Sequence, residues 1–170
     1  MQRPSTDEYH PNYQKYFDLI ASGDYFDLLR QNSTDTPAFF EKLPEEKLDY
    51  RYTAGKWTIK EVLMHIIDTE RVFSYRGLVA ARGDEITVPH RMDEELYASN
   101  ADVSQRTRES LISEFKAVRS ATEQLFENIT DIQGRRWCNI GTSPMTARAI
   151  AYFIIGHARH HVGVIQEKYL

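Results

Sequence analysis

Between residues 107 and 129 the apolar positions Leu111, Phe115, Val118, Leu125 and Ile129, with Thr122 in the same register, recur at alternating intervals of four and three, and Glu, Lys and Arg fill the gaps. That is the period of an α-helix with one face turned to a core. Residues 58–82 repeat it. There Thr58 followed by Glu61 forms a capping box, in which each side chain satisfies a free backbone N–H at the helix start. A further helix is predicted from Ser143-Pro144, where serine suits the N-cap and proline the first helical position, to about Lys168. The first long helix is predicted from about Asp24 to Lys42. Pro37 lacks a backbone N–H and crowds the preceding turn, so a kink or break is expected before it. No alternating strand pattern, repeat or low-complexity tract competes. The predicted fold class is all-α, a four-helix bundle formed by one domain over 1–170, with about the first twelve residues as an extension.

The connections constrain topology. Residues 83–106 are too many for a tight helical hairpin, which needs about 2–8 residues. A 25-residue helix is about 37 Å long, and 24 extended residues reach roughly 80 Å, so this segment can return along the bundle. The second and third long helices are then free to run parallel.

Composition narrows the chemistry. A chain of 170 residues, 41% hydrophobic, buries one sizeable core. Its net charge of −4 is spread without long blocks, which argues against a nucleic-acid partner; Arg135-Arg136 is too short a basic run to change that. No apolar run approaches the roughly 20 residues of a membrane span, and the first residues offer no signal-peptide core, so a cytoplasmic protein without membrane contact is expected. With Cys138 as its single cysteine, the chain can form neither an internal disulfide nor a cysteine-based zinc cluster. Any metal must be held by histidine and carboxylate.

Half of the six histidines fall in "GHARHH", residues 156–161. His157 and His161 are one helical turn apart, and Ile150, Phe153, Ile154 and Val164 lie within about 60° of His157, so the pair points into the core. His160 falls about 60° to the other side, a rim position. Two imidazoles buried among isoleucines need polar partners. Hydrogen bonds across the helix interface would supply them, and so would a shared metal ion. His65, in "EVLMHIIDTE", lies on a second amphipathic helix beside Val62 and Ile66; alone it reads as a core or boundary residue. Helices packed at about 8–10 Å can bring all three rings together.

Together, "KWTIKEVLMHIIDTERVFSYRGLVAARGDE" and "TARAIAYFIIGHARHHVGVIQEKYL" resemble the DinB superfamily, and within it the YfiT-like proteins once described as metal-dependent hydrolases. The resemblance runs from about Tyr13 to Leu170. It implies an up-down-down-up bundle and a divalent metal, zinc or nickel foremost, held by His65, His157 and His161, with His160 as the motif's neighbouring histidine. It also implies a homodimer and a small-molecule substrate. Some members transfer low-molecular-weight thiols such as bacillithiol, mycothiol or glutathione.

Three neutral imidazoles leave a divalent ion its full charge and at least one open position, enough to lower the pKa of a bound water to about 7 or to deprotonate a thiol. Thiol transfer, hydrolysis of an amide or ester, and metal binding without catalysis all follow from such a site. Asp68 and Glu61 lie within about 60° of His65 and are candidates to orient it or move protons, although Glu61 also has its capping task. Arg76, three turns on, is a candidate for a substrate carboxylate, with surface pairing the plainer reading. Met92 and Tyr97 in the long connection are candidates to cover the metal, with loop packing the plainer reading. Cys138 has no partner base, and His10 and His90 read as solvent-facing.

Overall fold

The computed structural model describes residues 1–141 and 143–170. After a single turn, α1 (Gln14–Phe17), come α2 (Tyr25–Glu41), α3 (Ile59–Arg82), a short α4 (Glu94–Asn100), α5 (Arg108–Glu127), a single turn α6 (Asp131–Gly134), the strands β1 (Trp137–Cys138) and β2 (Met145–Thr146), and α7 (Ala147–Lys168). Among the described residues α2, α3, α5 and α7 are the long helices, and none is long and apolar enough to cross a membrane.

Side-chain contacts give the helix directions. Along α3 and α5, Glu70 meets Arg119, Ser74 meets Thr122, and Gly77 meets Phe126. Both numbers rise together, so these helices are parallel. Along α2 and α5, Arg30 pairs with Glu127, Ser33 with Glu123 and Glu41 with Lys116, which is antiparallel. His65 meets His157 and Gly77 faces Ile150, so α7 opposes α3. The path is up-down-down-up, and the long connection makes it possible by returning past the bundle.

Local chemistry sets most helix ends. Thr58 accepts from the Glu61 N–H at 3.1 Å while the Glu61 carboxylate accepts from the Thr58 N–H at 2.6 Å. Gly83 closes α3 at φ 70°, a left-handed conformation that glycine adopts without steric penalty. Two expectations need correction. Pro37 does not break the helix; α2 runs unbroken from Tyr25 to Glu41 with Pro37 buried in it. The ring removes one N–H, and the packing of Thr36 and Phe40 on the core holds the helix across that gap. The last helix starts at Ala147 with Thr146 as its N-cap, not at Ser143, because Met145 and Thr146 pair with Cys138 and Trp137 as an antiparallel ribbon. The long connection also contains α4, capped by Asp93.

The first residues are stitched to the bundle. Arg3 donates to the carbonyls of Phe17, Ile20 and Ala21. Tyr9 is buried, stacks on Phe17 at 3.8 Å and bridges to Met145. Glu8 accepts from Thr146 and from Nε and Nη2 along one edge of Arg148. Burial opposes ionisation of Glu8, but Arg148, Ser5 and Thr146 outweigh it and hold the carboxyl down at about 2.

A second buried ion pair joins α3 and α5. Arg119 donates from Nε and Nη2 to Glu70 at 2.7 and 2.8 Å and from Nη1 to the Asn32 side chain at 2.7 Å, with the Arg119 and Glu70 side chains each 2% exposed. Removing one partner strands a charge in the core. Arg119→Met is expected to lower the stability to urea by about 3–5 kcal/mol, while the double variant E70M/R119M recovers most of that loss. Additive losses in the double-mutant cycle would show the two groups to be energetically independent.

Candidate metal centre

The periodicities that form α3 and α7 also set His65, His157 and His161 face to face. The Nε2 atom of His157 lies 3.1 Å from that of His65 and 3.1 Å from that of His161. One ligand atom from each of the three falls within 4.8 Å of the others. His65 and His157 are buried and His161 is partly so. Both contacts meet at one atom, the His157 Nε2, which in a neutral ring is either a single donor or a single acceptor, so hydrogen bonding there cannot satisfy both neighbours. A cation at the point of convergence satisfies all three acceptors at once, and nitrogen atoms 3.1 Å apart are close to the roughly 3.3 Å that zinc–nitrogen bonds of about 2.0–2.1 Å require in a tetrahedron. The donor set fits a divalent metal.

Electrostatics keep the rings neutral, the state a ligand needs. Burial, with a smaller contribution from His160, pushes the His65 imidazole down to about 4. His157 and His161 are held well below the ordinary histidine range, first by burial and then by the neighbouring rings and Lys15. Aromatic rings wall the site. Trp57 packs on His65 with centroids 4.7 Å apart, and Tyr16 stands 5.7 Å from His157 and edge-on to His160 at 5.2 Å. His160 stays outside the cluster, on the Tyr16 side.

Gly156 lets Tyr16 approach. A Cβ there would come 2.3 Å from the Tyr16 carbonyl oxygen, so α1 can lie against α7 only because the residue before His157 has no side chain.

The other candidates are placed elsewhere. Glu61 is committed to the capping box and to Arg51, at 2.5 and 3.1 Å. Asp68 pairs with Arg71 at 3.2 Å, and Arg71 continues to Glu114. Neither carboxylate joins the histidines. Arg76 is not a surface residue: it is 3% exposed and lines a cleft of about 740 Å³ that also contains His157, Tyr13, Tyr16 and Met92. Tyr97 stays exposed and away from this wall. His90 is exposed, and its carbonyl accepts from Arg76. His10 is half-buried; its Nδ1 accepts from the Asn12 N–H at the start of a one-turn helix. Cys138 is buried, which pushes its thiol up, away from nucleophilic character. Sequence reasoning missed the parts played by Tyr13 and Tyr16, and "YHPNYQKYF" carried the signal: aromatic residues at close spacing in a tail too apolar to stay free.

The profile of the DinB superfamily matches residues 28–165. Among solved structures, YfiT from Bacillus subtilis, described as a probable metal-dependent hydrolase with an unusual four-helix bundle topology, is similar with a TM-score of 0.72 and 17% identity, over 98% of this chain and 89% of that one. At that identity the likeness speaks to the fold. No curated protein sequence matches significantly.

Two outcomes follow from the geometry. Gly156→Ala is expected to destabilise the protein by about 1–3 kcal/mol in urea, because the contact with backbone outweighs the gain of about 1 kcal/mol in helix propensity; an unchanged midpoint would show α1 free to move aside. For the metal-free protein, the unfolded chain takes up protons near pH 6.5 that the folded rings refuse until far lower pH. The stability is therefore complete above about 6.5 and is lost as the pH falls towards about 4. Urea midpoints should drop between about pH 6.5 and 4.5, and drop less in His157→Gln. A flat profile over that window would contradict burial of the rings.

Proposed function

The chain belongs to the DinB superfamily, and from that footing we propose a metal-dependent enzyme in which His65, His157 and His161 hold a divalent ion that activates a low-molecular-weight thiol for transfer to a small electrophile. The observation that carries this reading is the composition of the site: three neutral imidazoles converge, and both carboxylates nearest in register, Glu61 and Asp68, are engaged with arginines. When bound, such an ion supplies Lewis acidity at an open position, enough to favour a thiolate at neutral pH. The chain does the rest. Trp57, Tyr16 and Phe153 surround the rings and limit water, while the cleft beside His157 admits the electrophile. In the transfer the thiol loses its proton to water, its sulfur bonds to the electrophilic carbon, and the bond from that carbon to the leaving group breaks, the group departing with the bonding pair as an anion that solvent stabilises. Nothing in this requires a protein carboxylate at the reacting atoms.

Hydrolysis of an amide or ester is the second reading, favoured by the description of the Bacillus subtilis structure. Cleavage of an amide demands an acid for the departing amine, and no carboxylate among the described residues joins the three rings.

The test is direct. Alanine at His65, His157 or His161 should each abolish stoichiometric zinc or nickel binding, and His160→Ala should retain it. In the cobalt-substituted protein, bacillithiol, mycothiol, glutathione or cysteine should raise a sulfur-to-metal charge-transfer band that His157→Ala lacks, and the same thiol should support conjugation to monochlorobimane. If no thiol alters the spectrum or supports turnover while amides or esters are cleaved in a metal-dependent way, hydrolysis replaces transfer.

A further inference from the structure

Three arginines are buried among the described residues: Arg76, Arg119 and Arg148. Arg119 grips Glu70 with two donors, and Arg148 grips Glu8 in the same way. Arg76 has no such partner. Its Nη2 donates to the His90 carbonyl at 2.8 Å, its guanidinium lies 4.6 Å from the Phe73 ring centroid, and its Nε finds no acceptor among the described residues. Burial draws its pKa down, yet an arginine starts so high that it stays charged. A desolvated cation with one neutral acceptor and one aromatic face is under-compensated relative to an ion-paired one. In this fold the two buried arginines with structural tasks are each given a carboxylate, and the third is placed in the wall of the cleft without one.

We infer that Arg76 is the anchor for a carboxylate on the small molecule that occupies this cleft, and that the substrate is an organic acid with an apolar or aromatic middle. The cleft that holds Arg76 also holds His157, and between them the Phe73 and Phe153 rings stack at 4.1 Å with Tyr13 edge-on to both. Glu94, the only acidic residue in this wall among the described residues, is exposed, and a second arginine, Arg91, stands with it. Arg76 follows His65 by eleven residues on α3, about 16 Å along the axis, and the longer arginine side chain leans farther towards the N-terminus than the histidine does, which shortens the span. The carboxylate and the group that reaches the histidines are therefore on the order of 10 Å apart. The far end of that molecule rests on the metal reading above; the Arg76 anchor does not.

The two can be tested separately. With the metal removed, 4-phenylbutyrate and its uncharged analogue 4-phenylbutyramide are titrated into the full chain and followed by amide shifts in the NMR spectrum. The carboxylate should bind roughly tenfold tighter than the amide, the preference should vanish in Arg76→Gln, and Arg76→Lys should keep part of it. Equal binding of the two, binding of neither, or a preference that survives Arg76→Gln would overturn the anchor. Circular dichroism of both variants checks the fold, and Arg76→Lys carries the comparison if Arg76→Gln is unstable. With zinc bound, 6-mercaptohexanoate is then compared with 6-mercaptohexanamide by calorimetry. If the carboxylate preference is present but the thiol adds no affinity, the anchor stands and the metal reading fails. If the thiol adds affinity but acid and amide bind alike, the metal reading stands and the anchor fails.

Discussion

Imidazole rings facing one another inside an apolar bundle must all be neutral, and they leave lone pairs that nothing apolar can satisfy. That constraint organises the molecule. It demands that α3 and α7 be antiparallel neighbours, so that rings 92 residues apart in the chain meet at 3.1 Å. It demands a dry wall, supplied by Trp57 from the segment before α3 and by Tyr16 from the segment before α2.

The polar groups in the core are managed by one device used twice. The Glu70–Arg119 and Glu8–Arg148 pairs each give a buried guanidinium a carboxylate, and each joins segments far apart in the chain: α3 to α5, and the N-terminal tail to the start of α7. Such pairs contribute little net stability over a well-packed apolar substitute, but a misdocked segment would leave both charges stranded. They act on pairing and register, which a bundle of similar amphipathic helices otherwise leaves weakly specified.

Much of this was legible in the sequence because it is local. The Thr58–Glu61 box and the helical registers of His65, His157 and His161 depend on neighbours within a few residues. What was not legible depends on distant partners. The start of α7 moved from Ser143 to Thr146 because β2 pairs with β1, a two-residue match with almost no sequence signal. Arg119, among the polar residues of an amphipathic pattern, reads as solvent-facing until Glu70 is found opposite it. Arg76 likewise reads as a surface charge until the long connection folds over it and the His90 carbonyl takes one of its protons. Pro37 illustrates tertiary packing overriding local preference: one missing hydrogen bond is outweighed by burial on both sides of it.

The separation of the histidines along the chain also bears on how the protein is made. α7 is synthesised after the other long helices, so until it emerges α3 presents His65 among apolar residues with no partner. α2, α3 and α5 can associate in the meantime through Glu70, Arg119 and Asn32, but they leave an open trough where α7 belongs. A nascent chain in that state exposes apolar surface prone to aggregation, and it can bind no ion with three donors. Closing the bundle and bringing the three histidines together are thus one event, and the full set of three donors exists only in chains that have already docked their last helix.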